Sequence, residues 1–194
     1  MLCNTIAIDA KRMRPITNAD HEHGLQTMRR SKESDIGDMI EGAIAGAVAT
    51  WAMGRVTNAL YARENKAARE REDRVRDGTT AYEVAAEKAA GFAGKSLTRQ
   101  QRQRYGTAIH WTLGVAAGAL FGVLRSRSPS VARGAGSLFG AVFWLAVDEA
   151  ATPALGLTPG PRAFPWQTHA RGLAGHLVFG TVANATLATL QRTT

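Results

Sequence analysis

A single cysteine in 194 residues, Cys3, leaves no second thiol for an intrachain disulfide. The N-terminus, MLCNTIAIDAKRMRP, has no basic stretch followed by a long apolar core, so a cleavable signal peptide is not expected. The Gly-Lys-Ser at 94–96 lacks the glycine spacing of a phosphate-binding loop. No His-x-x-Glu-His pair is present, and no nucleophile stands beside a base. These absences remove the usual signatures of nucleotide hydrolysis, zinc proteolysis and acyl transfer, and no enzymatic activity is expected.

Negative charge is the scarcer sign, with 16 acidic against 24 basic residues and a net charge of +8. Such a balance can serve nucleic acid or an anionic membrane surface. Here the basic residues are mixed with acids rather than gathered in a patch, so no nucleic-acid partner is expected. Charge is missing altogether from two long runs, Gly106 to Leu124 and Gly172 to Gln191. The mean hydropathy of −0.17 hides this split, because the charges crowd into 1–41 and 62–105.

An α-helix rises about 1.5 Å per residue, so runs of 19 and 20 uncharged residues reach about 28–30 Å, the thickness of a bilayer core. Two further apolar stretches are shorter. The first helix has an uncharged core only from Gly42 to Gly54, short for a span unless Glu41 and Arg55 sit at the two interfaces. The third is uncharged to Val147, then meets Asp148 and Glu149, and Pro153 is expected to end it. The expected fold is all-α, an integral-membrane four-helix bundle with helices at about 37–61, 107–124, 134–151 and 169–190. The alternative is a soluble Ala/Gly-rich bundle.

Residues 1–36 read as a poorly ordered polar tail and 37–194 as a single membrane domain. His21 and His23 in the tail read as solvated, with no further metal ligands beside them. The segment 62–105, between helices 1 and 2, reads as helical, charged and amphipathic. Glu70 with Arg74 and Glu72 with Arg76 are spaced i,i+4 with the acid first, which reads as a solvated face rather than a site. A short amphipathic helix follows around Tyr82 to Ala89, and then a basic connector, KSLTRQQRQRYG.

Every fourth residue lies on one helix face. In the first helix that face holds Asp38, Gly42, Gly46, Thr50 and Gly54; in the second, His110, Gly114, Gly118 and Gly122. The third has Gly136, Gly140, Trp144 and Asp148, and the fourth Gly172, His176, Gly180, Asn184 and Ala188. In lipid, helices associate through close backbone packing and interhelical hydrogen bonds, so these stripes are expected to face one another. Trp144 breaks the pattern and has to fill a gap. If the helices cross in turn, His110, Asp148, Glu149 and His176 fall at one membrane level. Ionisable groups at that depth face inward and pair, and His176 with Asp148, near His110, is the expected pair.

Pro153, Gly156-Leu157-Thr158-Pro159, Pro165-Trp166 and Gly175-His176-Leu177, together with His110, are spaced as in the YagU family of bacterial inner-membrane proteins, which this chain resembles over about 37–190. The resemblance implies a multi-pass protein of the bacterial cytoplasmic membrane, of unestablished molecular function, with 62–105 and 152–168 on the periplasmic side. The short loop 125–133, with Arg125, Arg127 and Arg133, agrees with cytoplasmic termini. Asp148 departs from the family's pattern, in which the third helix carries a histidine. A three-histidine metal reading weakens accordingly, in favour of a His/carboxylate pair.

Three functions remain open. The four polar residues respond to protons by changing helix packing, or form a static network that only fixes it. The chain is a small transporter or channel subunit acting as an oligomer. Or it is a metal-dependent membrane enzyme, since two histidines and two carboxylates can bind zinc or iron. The first is the leading expectation. It brings a lipid bilayer as partner, room for a homo-oligomer, no cofactor, no metal and no specified protein partner.

Overall fold

The computed structural model describes the backbone of residues 18–193 and the side chains of 34–192. The chain divides between Ile36 and Gly37, and the account concerns the unit that begins at Gly37. Helix α1 (Asn18–Arg63) already includes residues 18–36, which the sequence reading leaves poorly ordered. The side chains of His21 and His23 lie outside the described residues. Then come α2 (Lys66–Arg76), α3 (Ala81–Phe92) and α4 (Arg99–Arg127). A 3₁₀ segment, Pro129–Gly136, leads into α5 (Ser137–Trp144), a π-helical turn (Leu145–Ala151) and α6 (Thr152–Ala154). A loop with one 3₁₀ turn (Pro161–Ala163) reaches α7 (Trp166–Thr193). No strand occurs among the described residues.

Polar side chains set the helix starts. Asn65 accepts from Ala68 N at 2.8 Å and opens α2. Thr80 with Glu83 and Thr98 with Gln101 form capping boxes for α3 and α4. The second box corrects the expected basic connector: α4 begins at Arg99, and its first two turns are the basic stretch itself.

Three helical stretches, Arg99–Arg127, Pro129–Ala154 and Trp166–Arg192, are long and apolar enough to cross a membrane. On α1 and α5 the large aliphatic residues point outward and the small ones inward. On α1, Gly42, Ala45, Gly46, Ala49 and Thr50 are buried, while Ile44, Val48 and Trp51 are exposed. On α5, Gly140 is buried and Val142 is 58% exposed. That inversion is uphill in water and downhill in hydrocarbon, and with the three spans it points to a membrane protein.

The stripes meet in two pairs. A Cβ on Gly46 would stand 2.6 Å from the Gly114 carbonyl oxygen and 2.9 Å from Gly118 Cα, so α1 and α4 touch backbone to backbone. Gly114 makes room for Thr50, whose hydroxyl donates to the Gly46 carbonyl at 2.7 Å. Gly122 packs against the Asp38 carbonyl. In the second pair, a Cβ on Gly136 or Gly140 would overlap the carbonyls of Gly180 or His176, and one on Gly180 would overlap that of Gly136. Gly136 also opens α5 with φ 92°, a backbone region that suits glycine. Gly54 faces open space, so the first stripe stops at Thr50. Phe121, Phe179 and Leu187 fill the centre, with Phe139 and Phe143 against them.

Candidate functional site: a polar cleft at one end of the helices

The cleft is built around the break in the α5–α6 helix. Pro153 has no N–H to give, so the carbonyls before it lose a donor. The chain responds with a π-helical turn, in which Thr152 N bonds the Val147 carbonyl. The Thr152 hydroxyl then satisfies the Asp148 carbonyl at 2.8 Å. Such turns widen a helix locally and recur at functional sites. This one carries Asp148 and Glu149.

The family-like segment after Pro153 roofs the cleft. Gly156, at φ 63°, turns the chain back, and Leu157 N bonds the Thr152 carbonyl at 2.8 Å. The Thr158 hydroxyl donates to that of Thr152 at 3.2 Å, and Pro159 lines the cavity beneath. Lys88 of α3 ties the loop down through the Leu155 carbonyl at 2.8 Å. Pro165 is buried, whereas Trp166 is 72% exposed at the start of α7, as suits a membrane–water boundary. Gly175 lies against Thr57 and Met53 of α1.

His176 is 2% exposed. Its Nδ1 donates to the Gly172 carbonyl at 3.0 Å and stands 3.7 Å from Asp148 Oδ2, which is an ionic contact rather than a hydrogen bond. Phe143 packs on the imidazole at 5.3 Å between ring centroids. His110 shares a small void with His176 and lies 4.9 Å, ring to ring, from Tyr82. Burial raises the Tyr82 hydroxyl above its ordinary range, and the Asp148 charge adds to this, so Tyr82 stays protonated. The stripe residue Gly172 contacts no helix backbone. It makes room for Trp144 and Asp148, lying 3.0 Å from Trp144 Nε1 and 3.4 Å from Asp148 Oδ2 when given a Cβ. Trp144 thus fills the gap its stripe required.

Glu149 turns elsewhere. It meets His169, which the sequence reading leaves unassigned, at 2.6 Å, and the other ring nitrogen of His169 is 3.0 Å from the Pro161 carbonyl. A carbonyl only accepts, so the short contact to Glu149 holds a proton, on the ring or on the carboxyl. This pair joins the π-turn to the roof. Asn184, expected as a packing residue, accepts from Arg125 Nε at 3.0 Å.

The largest correction concerns α2. Glu72 is 3% exposed, not solvated. Arg171 of α7 grips it with two bonds of 2.7 and 2.6 Å, Arg76 adds one of 2.7 Å and Thr168 one of 2.8 Å. Arg171 also bonds Glu64. Burial alone would push the Glu72 carboxyl up, but Arg171 and Arg76 outweigh it and hold it below the usual carboxylate range. One signal marks Arg171 in the sequence: it is the only Lys or Arg between Arg162 and Arg192. A lone cation at membrane depth calls for an acid partner.

Between these walls lies a cavity of about 410 Å³ that reaches His110, Trp144, Asp148, Glu149, His169 and Arg171. Among the described residues no group of three or more His, Cys, Asp or Glu side chains is placed to hold a metal ion.

A family described as a protein of unknown function (DUF1440) matches residues 84–185, more than half of the chain. The match takes in His110, the π-turn, the roof and most of α7, and leaves out α1 and α2 with Glu64, Glu72 and Arg76. No curated protein and no solved structure matches.

Proposed function

The chain belongs to the DUF1440 family, whose function is unknown, and we propose from its own residues that it is a proton-responsive membrane protein. In this reading it is a YagU-like protein of the bacterial cytoplasmic membrane. Four helices cross, α1 among them, both termini are cytoplasmic, and the cleft opens to the periplasm. Support for the fourth span comes from α1, which shares the close glycine packing of α4 and turns Ile44, Val48 and Trp51 outward.

The observation that carries the proton response is the contact of buried His176 with Asp148 at 3.7 Å. Neutral His176 needs only its Gly172 bond. Protonation places a full charge 3.7 Å from the carboxylate, in a setting where charge is weakly screened. The contact tightens, and Asp148 moves with the π-turn against α7. His110 and Tyr82 face the same place from α4 and α3, and Glu149 and His169 flank it.

Trp144, beside Asp148, reports the change. In purified full-length protein its fluorescence should shift between about pH 5 and 8. The shift should vanish in His176→Ala and Asp148→Asn, with helix content retained, and persist in His169→Gln. A wild-type signal that stays flat over that range, or an unchanged profile in His176→Ala, would make the pair a static packing contact.

A transport role meets an obstacle within one chain. Phe121, Phe139, Phe143 and Phe179 fill the bundle below the cleft. A pathway would have to run between copies.

A further inference from the structure

Most polar groups around the cavity are already engaged. Arg171 and Arg76 pair with Glu64 and Glu72, Glu149 bonds His169, Thr168 bonds Glu72, and Thr152 and Thr158 bond one another and the backbone. Two groups are not. Trp144 Nε1 is buried without an acceptor among the described residues. The Asp148 carboxylate has only the 3.7 Å contact to His176, whose Nδ1–H is already given to Gly172. A buried indole N–H without an acceptor is unusual and costly, and the Asp148 carboxylate, 31% exposed, is left open to the cavity.

The two groups flank the same spot. A Cβ built on Gly172 would lie 3.0 Å from the indole nitrogen and 3.4 Å from the carboxylate oxygen. Both residues line the cavity of about 410 Å³, within the size range of small-molecule sites. With the arginines paired to Glu64 and Glu72, Asp148 is the acid of this wall that has no hydrogen-bond donor of its own. The Tyr82 and Trp144 rings line the same cavity.

We propose that the cleft binds a small primary ammonium carrying a nearby oxygen acceptor, the amino-alcohol class, with the ammonium on Asp148 and the oxygen accepting from Trp144 Nε1. An anion would meet Asp148 unfavourably. A purely apolar ligand would leave both groups unpaired. The amine donates to the carboxylate and gains a charge-assisted bond, while its oxygen supplies the acceptor that the indole lacks. The same chemistry has two sources, a free amino alcohol and the ethanolamine headgroup of a phospholipid. The inference shares Asp148 with the proton-responsive reading and rests on its placing of the cleft outside the bilayer core. It does not need His176 to titrate.

The test uses the full chain in nanodiscs of phosphatidylcholine at about pH 8, where an alkylamine remains protonated. Ethanolamine is titrated by calorimetry, with ethylene glycol and ethylamine as partial mimics. Saturable ethanolamine binding is expected, weakened about tenfold or more by Asp148→Asn and several-fold by Trp144→Phe. Ethylene glycol should bind far more weakly, and Glu70→Gln, outside the cleft, should bind like wild type; binding at one fixed pH is read apart from the fluorescence–pH profile, so either reading can fail alone. Adding phosphatidylethanolamine to the nanodisc should suppress the signal if the headgroup is the natural occupant and leave it unchanged if the free amine is. No saturable binding to folded wild type, or equal binding by Asp148→Asn and Trp144→Phe, overturns the proposal.

Discussion

Glu72 shows how a surface-like residue becomes a buried and fully bonded charge. It accepts two bonds from Arg171, one from Arg76 and one from Thr168. Replacing it with Gln leaves the half-buried Arg171 with Glu64 as its one remaining acid partner. Breaking a buried pair from one side costs about 3 kcal/mol or more. Glu72→Gln should therefore lower the melting temperature of the detergent-solubilised protein clearly, whereas Glu70→Gln, whose 3.5 Å pair with Lys66 is exposed, should change it little. The pH dependence follows from the lowered pKa. Stability from Glu72 is fully present above the unfolded glutamate value of about 4.3 and is lost as pH falls through the lower folded value. Wild type should thus lose stability on acidification below about pH 4.3, and Glu72→Gln should lose less.

At the scale of elements, the contacts that matter are between backbones. A methyl group on Gly118 would fall 2.6 Å from Gly46 N, and neither helix can yield by turning a side chain. Gly118→Ala should destabilise by about 1–3 kcal/mol through forced separation of α1 and α4. Gly54→Ala, with open space around it, should be neutral or stabilising by up to about 1 kcal/mol, the ordinary preference of a helix for alanine over glycine. Thermal unfolding of the two variants side by side checks both signs. Much of this was legible in the sequence, because glycines spaced four apart share one helix face whatever that face packs against. Alternation of the helices led to the expectation of His110, Asp148 and His176 at one level; in the structure His176 stands 3.7 Å from Asp148 and shares a void with His110. The α2 network was not. Its bonds join residues about 100 positions apart, and Glu72 with Arg76 at i,i+4 looks the same on a solvated helix. The divergence of Asp148 and Glu149 was also hidden. Neighbours in sequence point in different directions on a helix, and the π-turn that aims them depends on the Thr152 hydroxyl as well as on Pro153.

For the whole molecule, three long apolar helices and an outward-facing set of Ile, Val and Leu side chains set the expectation for cell fractionation. The full chain should stay in the pellet when membranes are washed with alkaline carbonate and inclusion bodies have been removed; release into the supernatant would leave a peripheral or soluble bundle. Orientation can be read in the same cells. With Cys3 replaced by serine, single cysteines at Lys88 and Arg162, on the cleft side, should react with an impermeant maleimide from outside. A cysteine at Ser126, at the far end of α4, should react only after the membrane is opened.

The outward-large, inward-small arrangement of α1 and α5, with the glycine contacts of α4 and α7, also decides which changes inheritance can tolerate. In a water-soluble bundle the centre drifts among Leu, Ile and Val while the surface is held to polar residues. Here the outer belt is free to exchange one branched alkyl group for another, since hydrocarbon outside places no shape constraint on it. At the centre, Gly42, Gly46, Gly118, Gly140 and Gly180 have no smaller residue to become and no space to become larger. A saturation mutagenesis map of this protein should look like the negative of the map of a soluble helical bundle.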